Sequence, residues 1–137
     1  MRKIVAQSTV TAVVLISLIM LTMTGCSTIK DKIPSFWDDN QSRAVIDIRQ
    51  SVVELDCKQP HALQVAAIKM NVDWLVLYSQ AKDTRDVLRL VKPMNDTVND
   101  FYERSLVKQG SEAYCNMKKK ILDTQSSTVA KAVLGRF

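Results

Sequence analysis

Glycine is scarce in this chain: three residues in 137, and only Gly110 and Gly135 lie beyond the apolar amino-terminal stretch. That scarcity excludes a glycine-rich phosphate cradle, and no Gly-x-Ser-x-Gly nucleophile turn occurs. Histidine is limited to His61. Cys57, His61 and Cys115 therefore make at most three zinc ligands with no fourth, and we expect no metal site and no cofactor of that kind. Aromatic residues are also few, at 6%. With so little glycine and so much Ala, Val, Leu, Lys and Gln, the composition favours helix over sheet. A dominant charge is missing too: 19 basic residues stand against 14 acidic ones. Arg2 and Lys3 open the chain, so 17 against 14 remain after them, a balance of +3. That is too mild for a nucleic-acid-binding surface.

What is present first is a leader-like start. Arg2-Lys3 is followed by Ile4 to Thr24 without a charge, with Val10 to Met23 as its apolar core, and then by Met23-Thr24-Gly25-Cys26. A basic start, an apolar run and small residues at a cut site are the layout of a secretory signal peptide. An uncleaved anchor is the competing reading, since Ile4 to Gly25 as a helix would span roughly 30 Å, enough to cross a bilayer. The polar Ser27-Thr28-Ile29-Lys30 directly after Gly25-Cys26 favours cleavage.

The segment Met23-Thr24-Gly25-Cys26 resembles the lipobox of bacterial lipoproteins, in which an aliphatic residue, two small residues and a cysteine are recognised by a dedicated signal peptidase. Met23 stands where that family usually has leucine. The resemblance implies diacylglycerol thioether-linked to Cys26 and an acyl group on its freed amine, with Met23, Thr24 and Gly25 as peptidase-recognition residues. Two or three acyl chains give stable anchoring, because each buried methylene contributes about 0.8 kcal/mol and one chain alone is marginal. By the same resemblance Ser27, rather than aspartate, points to the outer membrane, with the rest of the chain facing the periplasm.

The expected organisation is a signal peptide over 1–25, a lipidated cysteine and tether over 26–40, and an all-α, antiparallel bundle of about four helices over 41–137. In the tether, Phe36-Trp37 is read either as a hydrophobic staple on the first helix or as an anchor for a membrane interface or a partner. The first helix is expected over Asp39 to Asp56, with Val45, Ile48, Val52 and Leu55 on one face. The second is expected from Pro60, in the first helical position, to Ala81, with a core stripe of Leu63, Ala67, Met70, Trp74 and Leu77. Val65, Ile68, Val72, Leu75 and Val76 lie off that stripe, so part of this helix's apolar surface is a candidate interface.

The third helix is expected from Asp83 or Thr84, with Asp86 in its first turn, to near Lys108. Val87, Leu90, Met94, Val98 and Phe101 line it, Pro93 kinks or splits it, and Gly110 turns left-handed after it. The fourth is expected from a Ser111 cap to Leu134, with Tyr114, Met117, Ile121, Val129 and Val133 inward and Gly135 closing it. Short loops make neighbouring helices antiparallel.

With Cys26 carrying lipid, Cys57 and Cys115 remain as an even pair in an oxidising compartment, and a disulfide is expected between them. It would stabilise a domain of this size by roughly 4 kcal/mol. His61 is expected at an exposed first turn. Lys118-Lys119-Lys120 is a candidate basic surface for anionic lipid or an acidic partner, though Met117 and Ile121 beside it make a solvated helix face the plainer reading. The carboxylate pairs Asp38-Asp39, Asp83/Asp86 and Asp96/Asp100 read as helix-start residues rather than catalytic pairs.

The sequence therefore predicts no catalytic residue and no small-molecule substrate. It predicts a non-enzymatic lipoprotein held to the membrane by its lipid, whose bundle binds an envelope protein or itself. The format also resembles small phage-encoded envelope lipoproteins. That alternative implies an outer-membrane spanin-like role in lysis, or receptor blocking in superinfection exclusion.

Overall fold

A computed structural model of the chain describes residues 35–107 and 110–136. The proposed leader, Met23, Thr24, Gly25, Cys26 and Ser27 lie outside the described residues. So does Lys108, the expected end of the third helix. The described residues form four helices and no strand: α1 (Asp39–Glu54), α2 (Ala62–Ala81), α3 (Arg85–Val107) and α4 (Glu112–Leu134). Each helix packs on its two neighbours in the cycle α1–α2–α3–α4–α1, the arrangement of an antiparallel four-helix bundle.

α1 begins where Asp38 caps it. The carboxylate accepts the backbone N–H groups of Asn40 (2.9 Å) and Gln41 (3.0 Å), two donors that a helix start leaves unpaired. Its inward face is the expected one: Val45, Ile48, Val52 and Leu55 are all buried. The helix ends at Glu54, two residues earlier than expected, so Cys57 lies in the following turn.

α2 differs most from the sequence reading. Its N-cap is His61, and Pro60 precedes the helix instead of opening it. The expected core stripe is on the outside, with Leu63 85%, Met70 67%, Leu77 65% and Trp74 46% exposed. The core takes Val65, Ile68, Val72, Leu75 and Ser79. Two residues along a helix are a rotation of about 200°, so the two sets occupy opposite faces of one cylinder.

Asp83 forms the turn into α3 without a glycine. Its φ is 51°, in the left-handed region. Its N–H donates to the Gln80 carbonyl (3.1 Å), and the Thr84 N–H donates to the Ser79 carbonyl (2.9 Å). These two bonds form a Schellman closure, and aspartate is among the few side chains that tolerate the conformation. Thr84 also turns its hydroxyl back to the Ser79 carbonyl (3.2 Å).

α3 continues through Pro93 as one unbroken helix. Proline supplies no N–H to the preceding turn, but its carbonyl remains well used. It accepts from the Thr97 hydroxyl (2.9 Å) and from the Gln125 amide of α4 (3.2 Å). Val87, Met94, Val98 and Phe101 face inward as expected, joined by Val91 and Ser105, while Leu90 packs at the edge.

α4 is capped by Ser111, whose hydroxyl accepts from the Tyr114 N–H (3.2 Å). Its core face is Cys115, Leu122, Ser126, Val129, Ala130 and Val133. Met117 and Ile121, expected inside, are exposed. Several of α4's inward positions are small or polar, so hydrophobicity alone does not mark the face. Gly110 has no positive φ. A Cβ there would instead come within 2.8 Å of the Tyr114 ring, so close approach rather than a left-handed turn is what favours glycine.

Candidate interaction face

The two ends of the bundle are closed by different chemistry. At the end where residue 35 enters, the closure is polar. Asp86 accepts both the backbone N–H and the hydroxyl of Ser35, and it pairs with Arg136 at 2.5 Å. Burial pushes the Asp86 carboxyl up, but the two Ser35 hydrogen bonds and the Arg136 charge outweigh it and hold the group below its ordinary value. Buried Gln41 donates to Thr84 (2.8 Å) and reaches Ser79 (3.4 Å), joining α1 to the α2–α3 turn. Ser35 thus ties the end of the tether to the bundle by two hydrogen bonds. Phe36 is 93% exposed and so takes no part in a staple. The Trp37 indole N–H donates to Asp39 (2.6 Å).

At the opposite end the closure is covalent and aromatic. Cys57 and Cys115 form the expected disulfide, with Cα atoms 5.5 Å apart. It joins the α1–α2 turn to the first turn of α4. His61, expected outside, is only 1% exposed. Its ring lies 5.5 Å from that of Phe101, which meets Tyr114 edge-on at 5.7 Å. The approach of Tyr114 over Gly110 helps roof the imidazole, an enclosure no local pattern around His61 announces. Among the described residues no group of three His, Cys, Asp or Glu side chains is placed to hold a metal ion.

The three lysines separate because successive residues turn by about 100°. Lys118 points to α3 and pairs with Asp100 (2.6 Å). Lys119 points to α1, where its ammonium donates to the Val53 (2.8 Å) and Leu55 (2.7 Å) carbonyls and so caps the end of that helix. Lys120 is exposed. Two of the three thus tie the bundle together. The hydrogen bond from Lys118 and then that from Arg104 lower the Asp100 carboxyl from its ordinary 3.8 to about 2. Of the expected helix-start carboxylates, Asp38 is a cap, whereas Asp96 pairs with Lys92 (2.9 Å) one turn away.

Large apolar side chains are exposed on every helix, among them Ile46, Val53, Leu106, Val107, Met117 and Ile121, and the fullest row lies on the outer face of α2. Leu63, Ala67, Met70, Trp74 and Leu77 run along it at spacings of four, three, four and three, and all are exposed. Trp74 stacks on Tyr78 with ring centres 4.9 Å apart. Its indole stands between two shallow grooves. The one against α3 is the more apolar, a space of ≈ 350 Å³ lined by Ala66, Met70, Trp74, Leu77 and Tyr102, with Lys69 and Asp73 at its edge. The one against α1, of ≈ 390 Å³, is lined by Asn40, Arg43, Asp47 and Asn71 beside Trp74 and Ala44. Lys69 and Asp73 form an ion pair (2.6 Å) one turn apart. An apolar stripe flanked by a polar and an ionic margin is the form of a helix-docking surface.

Fold and face together define a class: a small disulfide-bonded helical bundle with an apolar row exposed along α2. No protein-family model, curated protein or solved structure matches the chain.

Proposed function

We propose that this chain is a non-enzymatic, lipid-anchored lipoprotein of the bacterial envelope, whose bundle is an interaction module in the periplasm working through the outer face of α2. The observation that carries the reading is the stripe from Leu63 to Leu77. A small domain gains nothing in folding from holding four large apolar side chains in water, whereas a docking helix needs them there. The remaining chemistry supports a binding role over a catalytic one. Both described cysteines are joined to each other, the one histidine is enclosed, and Asp86 and Asp100 are held in ion pairs that link helices. The address rests on Met23-Thr24-Gly25-Cys26 and on Ser27, and the pairing of Cys57 with Cys115 suits an oxidising compartment.

A photo-reactive amino acid placed at Met70 in the native host tests the face, with the exposed Lys120 position on α4 as the control. The expected result is a crosslinked adduct from position 70 alone, in the outer-membrane fraction. Equal or absent adducts from both positions would remove the basis for an interaction face. Cys26→Ala with lipid labelling tests the anchor separately. Lipid incorporation and membrane association should both be lost.

A further inference from the structure

Resting on the reading of Cys26 as the lipid-bearing residue, we infer that the polar end of the bundle is seated, through Phe36 and Trp37, on the surface of the bilayer that holds that lipid. The residues that follow the tether are fixed across this end. Ser35 is bound to Asp86 in the first turn of α3, while Asp38 caps α1 and accepts the Tyr78 hydroxyl of α2 (3.1 Å). α1 and α3 stand diagonally in the helix cycle, so residues 35–38 cross the end of the bundle from one to the other. The aromatic pair lies on that crossing, with Phe36 93% and Trp37 39% exposed. Held almost wholly in water, the Phe36 ring adds nothing to the packing of the bundle.

The length of chain between the lipid and this crossing points to what covers the pair. Cys26 to Ser35 is nine residue steps, at most about 32 Å when fully extended. The polar end is therefore always within reach of the membrane. The disulfide end lies roughly 30 Å further along the bundle, the rise of the 20 residues of α2. A surface kept within such a reach presents a local concentration on the order of millimolar, so a contact too weak to form from free solution is held. Phenylalanine and tryptophan suit the boundary between headgroups and hydrocarbon, where a ring can leave water while its polar edge stays wet. The Trp37 indole N–H is already accepted by Asp39 (2.6 Å), so that ring can enter the boundary without an unpaired donor.

Charge decides which kind of bilayer surface this is. At the polar end the ion pairs Arg85–Asp83 and Arg136–Asp86 are each neutral, and beside them Asp38 and Asp39 stand against Lys82 and Lys131. A turn further in, Arg43 and Arg89 raise the balance only to 6 − 4 = +2. Anionic lipid rewards clusters of basic residues, and this end has none. The contact is therefore made by the aromatic pair with the headgroup boundary of a zwitterionic bilayer, and salt leaves it in place. Seating this end also sets the orientation of the molecule. α2 runs from the disulfide end towards the polar one, so its outer row stands away from the membrane with Leu77 nearest, clear of lipid and open to a protein.

The experiment uses the full-length lipidated chain in phosphatidylcholine vesicles, with phosphatidylcholine brominated high on its acyl chains as a quencher. Trp37 and Trp74 are the two tryptophans, so Trp74→Phe leaves Trp37 as the reporter. Its emission should fall about twofold on the brominated lipid, equally at low and high salt. Phe36→Ser in that background should remove most of the quenching with unchanged helical circular dichroism. Trp37→Phe leaves Trp74 as the reporter instead, and its emission should hold. An unquenched Trp37 overturns the inference, as does quenching that ignores Phe36→Ser or that salt abolishes. Trp74 quenched as strongly as Trp37 also overturns it, because the outer face of α2 would then lie on the lipid. Mass spectrometry of the same preparation separates this seat from the anchor it rests on. A lipidated Cys26 with Trp37 unquenched removes the seat alone, whereas a chain without lipid removes both.

Discussion

The inner and outer faces of α2 are built from the same kinds of residue and meet opposite surroundings. Inside lie Val65, Ile68, Val72, Leu75 and Ser79; outside lie Leu63, Ala67, Met70, Trp74 and Leu77. Both follow spacings of three and four, and both would serve as a helix's buried stripe. The difference lies in shape and in the neighbours. The inner set is mostly β-branched or compact, with few rotamers to lose when packed between α1 and α3. The outer set contains an indole, whose N–H must find a partner when buried, and a methionine, which adapts to a surface better than it specifies a core. A helix with apolar residues on both faces thus gives one face to folding and leaves the other exposed.

The sharpest way to break this comparison is to put a charge on each face in turn. Leu75→Glu leaves a carboxylate unpaired among buried side chains, and we expect the loss of more than about 4 kcal/mol, enough to unfold a domain of this size. Leu77→Glu, two residues on, should change unfolding free energy by no more than ~0.5 kcal/mol. Urea denaturation of both variants checks this, and similar losses would mean that the outer stripe is packed in the folded monomer. The next largest effect separates the fold from the face. Cys57→Ser with Cys115→Ser opens a loop of 58 residues and should cost roughly 4 kcal/mol on loop-closure entropy. A matched thermal melt reads the loss, while the outer face of whatever population stays folded should crosslink as before.

The parts legible in the sequence are those where only one arrangement was available. α1 carries one dominant apolar stripe, Val45, Ile48, Val52 and Leu55, against only Ile46 and Val53 on another face, so its inward side was plain. The disulfide followed from the parity of Cys57 and Cys115 once Cys26 was set aside. α2 was not legible because two stripes compete, and the choice depends on what α1 and α3 present to it. His61 and Lys119 escaped for a related reason. A histidine beside a proline at a helix start reads as solvated until Tyr114 and Phe101 arrive from other helices, and a lysine in a run of three reads as surface until the end of α1 lies beneath it. The face proposed here had a sequence signal nonetheless: more apolar residues on α2 than one buried face can use.

The turn that orients α2 offers a smaller test, one of gain rather than loss. Asp83 holds a left-handed backbone that glycine adopts without a Cβ penalty. Asp83→Gly should therefore stabilise the domain by about 0.5–1 kcal/mol, less what is lost with the Arg85 contact at 3.1 Å. An increase in urea midpoint at constant slope would show it. A decrease would mean that the Arg85 pair outweighs the backbone conformation.

The smallest effect concerns acid, and it falls on neither face of α2. The inner face carries no titratable group, whereas Asp100 on α3 is held near 2 by Lys118 of α4 and by Arg104. A carboxyl lowered on folding contributes stability above its unfolded value and gives it up as protons bind the folded state. The contribution of Asp100 is therefore intact at neutral pH and disappears as pH falls from about 4 towards 2. Asp86, lowered in the same direction, adds to the slope in the same range. Asp100→Asn should be slightly less stable than wild type at pH 7 and should converge on it near pH 2. Because Asp100 is partly exposed, solvent screens the pair and the gap should be modest. Unfolding free energies measured across that range would also report on the comparison. If the α3–α4 pair is structural and the outer stripe is not, the gap should persist in a Trp74→Glu background, where any association through α2 has been removed.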